Sequence, residues 1–188
     1  AMAQKAIPLA DRMEEGNTDA NVFAKRQLWL LQHFHGMPTG HFTGDECLSG
    51  NSAIQGSELC SVVEAMFSYE QLLSLTGDAF WGDILESVAF NAFPAALSAD
   101  MWTHQYDQQT NQVQCSILPQ EHIIFRTNGA DANLFGLEPH FGCCTANFHQ
   151  GWPKLALSAF MHTSRGIAST VLVPSKLQTR VGRAEVTV

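Results

Sequence analysis

The sequence predicts a mainly α-helical chain that turns to β structure near its C-terminal end. Three observations carry this. Apolar residues recur at helical spacing in several long stretches. Two of these are joined by Thr76-Gly77-Asp78, which marks a helical hairpin. From Gly166 onward, β-branched residues dominate. At 188 residues the chain is long enough for one domain with its own core, or for a large piece of a bigger one.

Residues 1 to 20 are polar and mixed, with a break at Glu14-Glu15-Gly16-Asn17. From Asn21 to His35 the positions of Val22, Phe23, Leu28, Leu30, Leu31 and Phe34 fit a helix better than a strand, and Gly36 and Pro38 stop it. Gly36 to Gly56 has no period and is rich in Gly, Ser, Thr, Asp and Asn. A loop of this length in a compact domain is functional or disordered, and His41, Asp45, Glu46 and Cys47 favour function. Ser57 is the expected N-cap of a helix running to about Leu75, with Val62, Val63, Met66, Phe67, Leu72 and Leu73 on its apolar side. Asp78 is expected to cap the next helix, which carries Phe80, Trp81, Ile84, Leu85, Val88, Ala89 and Phe90 until Pro94 kinks or ends it.

Beyond Met101 the pattern changes. Trp102, His104 and Tyr106, then Val113, Cys115 and Ile117, alternate as in one or two short strands or an extended segment reaching Glu121. Residues 127 to 140, with Asn128-Gly129-Ala130-Asp131, read as loop. Cys144 to about Thr163 reads as a helix in which Pro153 forces a kink or a late start. Strands follow at Ile167 to Val173 and at Glu185 to Val188. The chain stops inside an alternating strand, so a fragment is expected.

Composition bounds the function. Hydrophobic residues make up 45% and charged residues 15%, with a formal charge of -8 and a pI near 5.3. No basic run exists to neutralise phosphates, which argues against nucleic acid or an anionic membrane surface as partner. No apolar run reaches the ~20 residues that span a bilayer. The N-terminus lacks the apolar core of a signal peptide. The five cysteines, Cys47, Cys60, Cys115, Cys143 and Cys144, are odd in number and two are adjacent, a poor disulfide framework. Unpaired thiols favour a cytoplasmic setting. Gly-rich phosphate loops, G-x-S-x-G and H-E-x-x-H are absent, so nucleotide binding, a serine-hydrolase elbow and a zincin are unsupported.

The chemistry concentrates in two places. Ser57-Glu58-Leu59-Cys60 opens one expected helix and Gly142-Cys143-Cys144-Thr145-Ala146-Asn147 opens another. Three thiols and one carboxylate suffice for a four-coordinate zinc ion, and a helix start favours thiolate. At i and i+2, Glu58 and Cys60 converge only across a helix start, and the adjacent Cys143 and Cys144 only in a turn entering one. The spacing is not that of a CxxC knuckle, so buried inert thiols and a strained vicinal disulfide stay open beside zinc. Glu46 is either a solvated loop acid or a general acid/base near that site. Glu86 interrupts the apolar run Ile84-Leu85-Glu86-Ser87-Val88, facing solvent or a ligand. Tyr106, with Trp102 and His104, offers an aromatic platform for a sugar or ordinary core packing.

Gly44-Asp45-Glu46-Cys47-Leu48-Ser49-Gly50, then Gly56-Ser57-Glu58-Leu59-Cys60-Ser61-Val62-Val63-Glu64-Ala65-Met66, and finally the Gly142 to Asn147 run, resemble the β-L-arabinofuranosidases of glycoside hydrolase family 127. The resemblance covers nearly the whole chain but a minority of a family member. It implies a partial (α/α)6 barrel of helical hairpins over residues 1-165, followed from 166 to 188 by the first strands of a β-sandwich. It implies Zn2+ held by Glu58, Cys60, Cys143 and Cys144, with Cys143 also the nucleophile of a retaining reaction and Glu46 the acid/base. Glu86 and Tyr106 fall where the family contacts sugar. A carbohydrate substrate follows, as does a need for the rest of the barrel from a longer chain or an oligomer partner. The competing expectation is a structural Cys3Glu zinc module without catalysis.

Overall fold

The computed structural model of the protein describes residues 19–117, 131–137 and 140–187. The polar residues 1 to 18, the part after 117 of the segment expected to be extended or strand, and residues 127 to 130, 138 and 139 of the expected loop lie outside them. The described residues are mainly helical, with three small antiparallel two-stranded sheets.

Helix α1 (Asp19–His35) sends Leu28 into the core while Val22, Phe23, Trp29 and Phe34 stay exposed. Its start is tied to the hairpin turn by polar contacts. Trp81 Nε1 donates to Asn21 Oδ1 at 2.9 Å, Asn21 Nδ2 to Asp78 Oδ2 at 2.9 Å, and Lys25 Nζ lies 2.5 Å from the same oxygen. Strand β1 (Gly56–Glu58) leads directly into α2 (Leu59–Thr76). Helix α2 buries Leu59, Val62, Val63, Ala65, Met66, Tyr69, Leu72 and Leu73 and packs against α3, α5 and α6 as they are defined below. It is the axis of the molecule. Glu58 takes the N-cap place expected of Ser57. The Ser57 hydroxyl instead donates to the Phe42 carbonyl at 3.0 Å, because β1 is already paired and its side chains are committed to the neighbouring loop.

Gly77 closes α2 in the left-handed region (φ 62°), its N–H reaching the Leu73 carbonyl at 2.8 Å. This conformation is cheap only for glycine. Asp78 caps α3 (Ala79–Ser87) by accepting from the Phe80 N–H at 3.1 Å, as the sequence predicts. The helix then widens into a π-helical turn (Val88–Ala92) before the short α4 (Phe93–Ala95). Pro94 explains the widening. In the wider register the Phe93 N–H bonds Val88 O, and the N–H that Ala89 O would accept is the one proline lacks. The Trp152 indole N–H fills that place at 3.3 Å.

Strand β2 (Asp107–Gln109) is the piece of the alternating segment that forms a ladder, pairing antiparallel with β1 in the register Gly56–Gln109, Ser57–Gln108 and Glu58–Asp107. The single helix expected from Cys144 to Thr163 is instead two short ones, α5 (Gly142–Phe148) and α6 (Gly151–Leu157). A strand, β3 (Phe160–Thr163), follows. Pro153 sits near the start of α6, where a missing N–H costs nothing. The last residues of the expected helix join β structure because they pair with β4 (Gly166–Ser169), Phe160 opposite Ser169 and Thr163 opposite Gly166. Strands β5 (Gln178–Val181) and β6 (Ala184–Thr187) form the third pair. No helix among the described residues is long and apolar enough to cross a membrane.

Candidate metal centre and active site

The long loop before β1 is held against it. Gly44 N–H donates to Gly56 O and Glu58 N–H to Gly44 O, both at 3.0 Å, forming a parallel bridge between Gly44 and Ser57. The next residues bend tightly: Cys47 N–H reaches Asp45 O at 2.6 Å and Asp45 N–H reaches Cys47 O at 3.2 Å. Glu46 is the tip of this bend, exposed and at φ 60°, an uncommon conformation for a residue with a Cβ. Its neighbour Asp45 is buried.

The other wall comes from the far half of the chain. The Leu59 N–H donates to Tyr106 O at 2.9 Å, so β2 crosses directly beside the start of α2. Tyr106 is buried and stacks on Phe141, ring centroids 4.0 Å apart, and Phe141 immediately precedes α5. Thr145 Oγ1 donates to Leu137 O at 2.6 Å and lies 2.8 Å from His104 Nε2, from which it accepts. These contacts bring the start of α5 to the start of α2.

Glu58, in extended conformation (φ -66°, ψ 134°), and Cys60, the second residue of α2, meet Cys143 and Cys144 there. One ligand atom from each of the four lies within 4.8 Å of the others. Cys60 Sγ is 3.2 Å from Cys144 Sγ, and Cys143 Sγ is 4.0 Å from Cys144 Sγ. The latter is about twice a disulfide bond of ~2.05 Å, so the adjacent thiols are not joined. All five cysteines are free. Cys144 is fully buried, Glu58 and Cys60 half-buried, and Cys143 exposed.

The residues fit a divalent ion. A tetrahedral site with Zn–S bonds of about 2.3 Å has ligand atoms about 3.8 Å apart, inside the range the four already occupy. Their electrostatics point the same way. Burial pushes the Glu58 carboxyl up to about 8, aided by the nearby Cys60, Glu46 and Asp45. The hydrogen bond from Cys144 holds Cys60 down at about 6. That same bond, with burial, drives Cys144 upward, and burial together with Cys60 raises Cys143. Four acids crowded this closely ionise together only beside a cation.

Around the cluster are groups that the sequence did not single out for these roles. Asn147 stands on the helix of the paired cysteines, and Gln150 Nε2 donates to its Oδ1 at 2.9 Å. Its position three and four residues after the paired cysteines is the signal that could have found it. Asp107, directly opposite Glu58 in the ladder, is buried with Oδ1 unbonded, and burial and then Asp45 raise its carboxyl to about 8. It lies flat beneath Gly56, where a Cβ would stand 2.2 Å from its carboxyl atoms. Nothing in a run reading Asp-Gln-Gln announces this. His41 is fully buried, 2.9 Å from Ser61 Oγ, and burial lowers it to about 3.

The remaining expected residues are placed differently. Tyr106 is in the wall of the cluster, but Trp102 is exposed and His104 packs near Phe148, so the three form no common platform. Glu86 is exposed on α3 and lines a groove with Leu73, Gly82, Met161 and Thr170 that shares no residue with the thiol cluster. A second cavity of about 370 Å³, lined by Leu31, Phe42, Ser61 and Glu64, opens onto Glu58 and Cys60.

A family model described as beta-L-arabinofuranosidase, GH127 catalytic domain, matches residues 31–157, a span that includes Glu46, the four clustered residues, Glu86 and Tyr106. The chain therefore belongs to this family of glycoside hydrolases, and is a glycosidase chain whose substrate class is carbohydrate. No curated protein and no solved structure matches it.

Proposed function

We propose that the chain carries the zinc–thiolate centre of a retaining glycoside hydrolase acting on β-L-arabinofuranosides or related sugars. The observation that carries this is the convergence of Glu58, Cys60, Cys143 and Cys144 from segments more than eighty residues apart, in a chain of this family. In this reading residues 1-165 are part of an (α/α)6 barrel and 166-188 begin a β-sandwich.

The four residues hold Zn2+, which when bound keeps the thiolates deprotonated and in place at neutral pH. Cys143 is the exposed thiol of the three in the cluster and is assigned as nucleophile. Its sulfur forms a bond to the anomeric carbon as the bond to the leaving oxygen breaks, and the Glu46 carboxyl gives that oxygen its proton. Glu46, now carboxylate, takes a proton from water. The water oxygen attacks the same carbon, and the Cys143 thiolate leaves. Two inversions give net retention, with sulfur in place of the usual carboxylate nucleophile. Glu46 at the tip of its bend is free to meet substrate, while Cys144, with no exposed surface, is left only the ligand's part. Tyr106 supports the sugar site from its wall, and Glu86 contacts a more distant part of the substrate.

The test is substitution with metal analysis and turnover of an aryl β-L-arabinofuranoside, on this chain and on any longer chain that contains it. Zinc at one per chain, lost turnover in Glu46→Gln with zinc retained, and a glycosylated Cys143 trapped by mass spectrometry are expected. A structural zinc module predicts loss of folding in Cys143→Ala and no effect of Glu46→Gln. That outcome overturns the catalytic assignment.

A further inference from the structure

We propose that the cavity beside the start of α2 binds a second sugar residue of the substrate, with Ser61 donating to one of its hydroxyls and Glu64 accepting from another; this rests on the glycosidase reading above. The cavity holds about 370 Å³, at the small end of the roughly 300–1,000 Å³ of ligand pockets, and so suits one ring. Leu31 and Phe42 give it an apolar wall. Ser61 is the third residue of α2 and Glu64 follows three later, so both polar groups stand on one face of the helix. A donor and an acceptor set over an apolar wall match a ring that carries hydroxyls at its edge and C–H groups on its face.

Glu58 and Cys60 border the cavity, whereas Glu46, Cys143 and Cys144 do not. The reacting sugar, whose anomeric carbon must meet Cys143, therefore lies outside it. Ligand atoms of Glu58 and Cys60 are within 4.8 Å of that of Cys143, so the cavity adjoins the place of reaction. A residue joined to the reacting sugar fits there.

The direction of the Ser61 hydroxyl is set from behind. His41 is fully buried, with Nε2 2.9 Å from Ser61 Oγ, and its ring lies against Phe42 at a centroid distance of 4.1 Å. Its Nδ1 is buried and has no partner among the described residues. Burial keeps the ring neutral, with a single N–H to place. An orphaned buried N–H is rarer than an unused lone pair, so the proton belongs on Nε2 and is donated to Ser61 Oγ. The Ser61 hydrogen is then not spent on His41 and is left for a ligand. The same tautomer sets aside a serine nucleophile with histidine as its base. A ring that donates to serine, and that burial lowers to about 3, does not take its proton. His41 is a positioning residue, acting on substrate only through Ser61.

The experiment is calorimetric titration of the Glu46→Gln chain, supplied with zinc, using the β-linked L-arabinofuranose disaccharide and methyl β-L-arabinofuranoside as probes. In this background Ser61→Ala is expected to weaken the disaccharide about fivefold and Glu64→Gln about tenfold, with the one-sugar probe changed by less than about twofold. Ser61→Thr keeps the hydroxyl and should restore the disaccharide to within about twofold of the parent. His41→Leu is expected to weaken the disaccharide where Ser61 is present and to add nothing in Ser61→Ala, a dependence that a merely structural histidine would not show. Ser61 and Glu64 are both half-buried, and either substitution decides the matter if the other does not fold. Unchanged disaccharide affinity in both overturns the proposal alone, and so does an equal loss for the two probes, which would put these residues in the reacting sugar's own site. Failure of the Glu46→Gln chain to bind either probe overturns the earlier reading and this one with it. A chain without zinc that still shows the expected affinities counts only against the earlier one.

Discussion

Asp107→Asn should remove an alkaline weakness built into the β1–β2 ladder. The carboxyl is buried beneath Gly56 with one oxygen unbonded, and burial raises it from 3.8 to about 8. A raised folded value means that the native state keeps its proton where the unfolded chain has lost it. The stabilisation is complete below pH 3.8 and drains away as pH rises through 8. At about 1.4 kcal/mol per pH unit, the loss between pH 5 and pH 8 is at most about 4 kcal/mol, and relaxation around the ionised group brings the expected figure to roughly 2. Asparagine has the same shape and no titration, so its stability should run flat over that interval. Urea denaturation at pH 5, 6, 7 and 8, in chelator so that the thiol cluster titrates alike in both chains, gives the comparison. The two chains should be within about 1 kcal/mol of each other at pH 5, and the variant should gain steadily above it. Parallel curves for the two chains would refute the argument, for they would mean that Asp107 is solvated or paired in solution.

Three further outcomes are expected. His41 is buried neutral, its value lowered to about 3, so its contribution is present above pH 6.5 and lost as pH falls toward 3. His41→Gln should lose about 2 kcal/mol less than the parent on going from pH 7 to pH 4, read by circular dichroism during acid titration. Gly77→Ala should lower stability by about 1 kcal/mol through its left-handed cap, with no change in thiol reactivity. Cys144→Ser places a hydroxyl in a site with no exposed surface and should cost about 1–3 kcal/mol in the metal-free chain, measured by thermal melting. Cys143→Ser at its exposed neighbour should stay within about 0.5 kcal/mol.

The parts legible in the sequence were those written in local pattern. The hairpin of α2 and α3 followed from periodicity, with Gly77 and Asp78 marking its turn. The first helix followed in the same way from Asn21 to His35. What escaped depends on pairing across distance. Phe160 to Thr163 read as the end of a helix because its strand character exists only opposite Gly166 to Ser169. Ser57 read as a cap because nothing nearby shows that its hydroxyl is already committed to Phe42. The four clustered residues could be singled out by type and by their place at helix starts. Their meeting could not, since it is enforced by the β1–β2 crossing and by Tyr106 stacking on Phe141, contacts between segments far apart in the chain. The widened turn at Val88–Ala92 was half visible: Pro94 announces a defect, but only Trp152 shows how the chain accommodates it.

The sulfur pair of Cys60 and Cys144 has a consequence for the chain as a polymer. The two residues are 84 positions apart, and their contact closes a ring that takes in the hairpin, the π-helical turn and β2. A permanent link across a loop of that size confines the unfolded chain by an amount worth about 4–5 kcal/mol in the simplest entropic treatment. An ion bridging the two helix starts would act as such a clasp, made and undone by metal supply instead of by oxidation. Loading and folding would then be one equilibrium, and the chain's resistance to heat would report the free zinc around it.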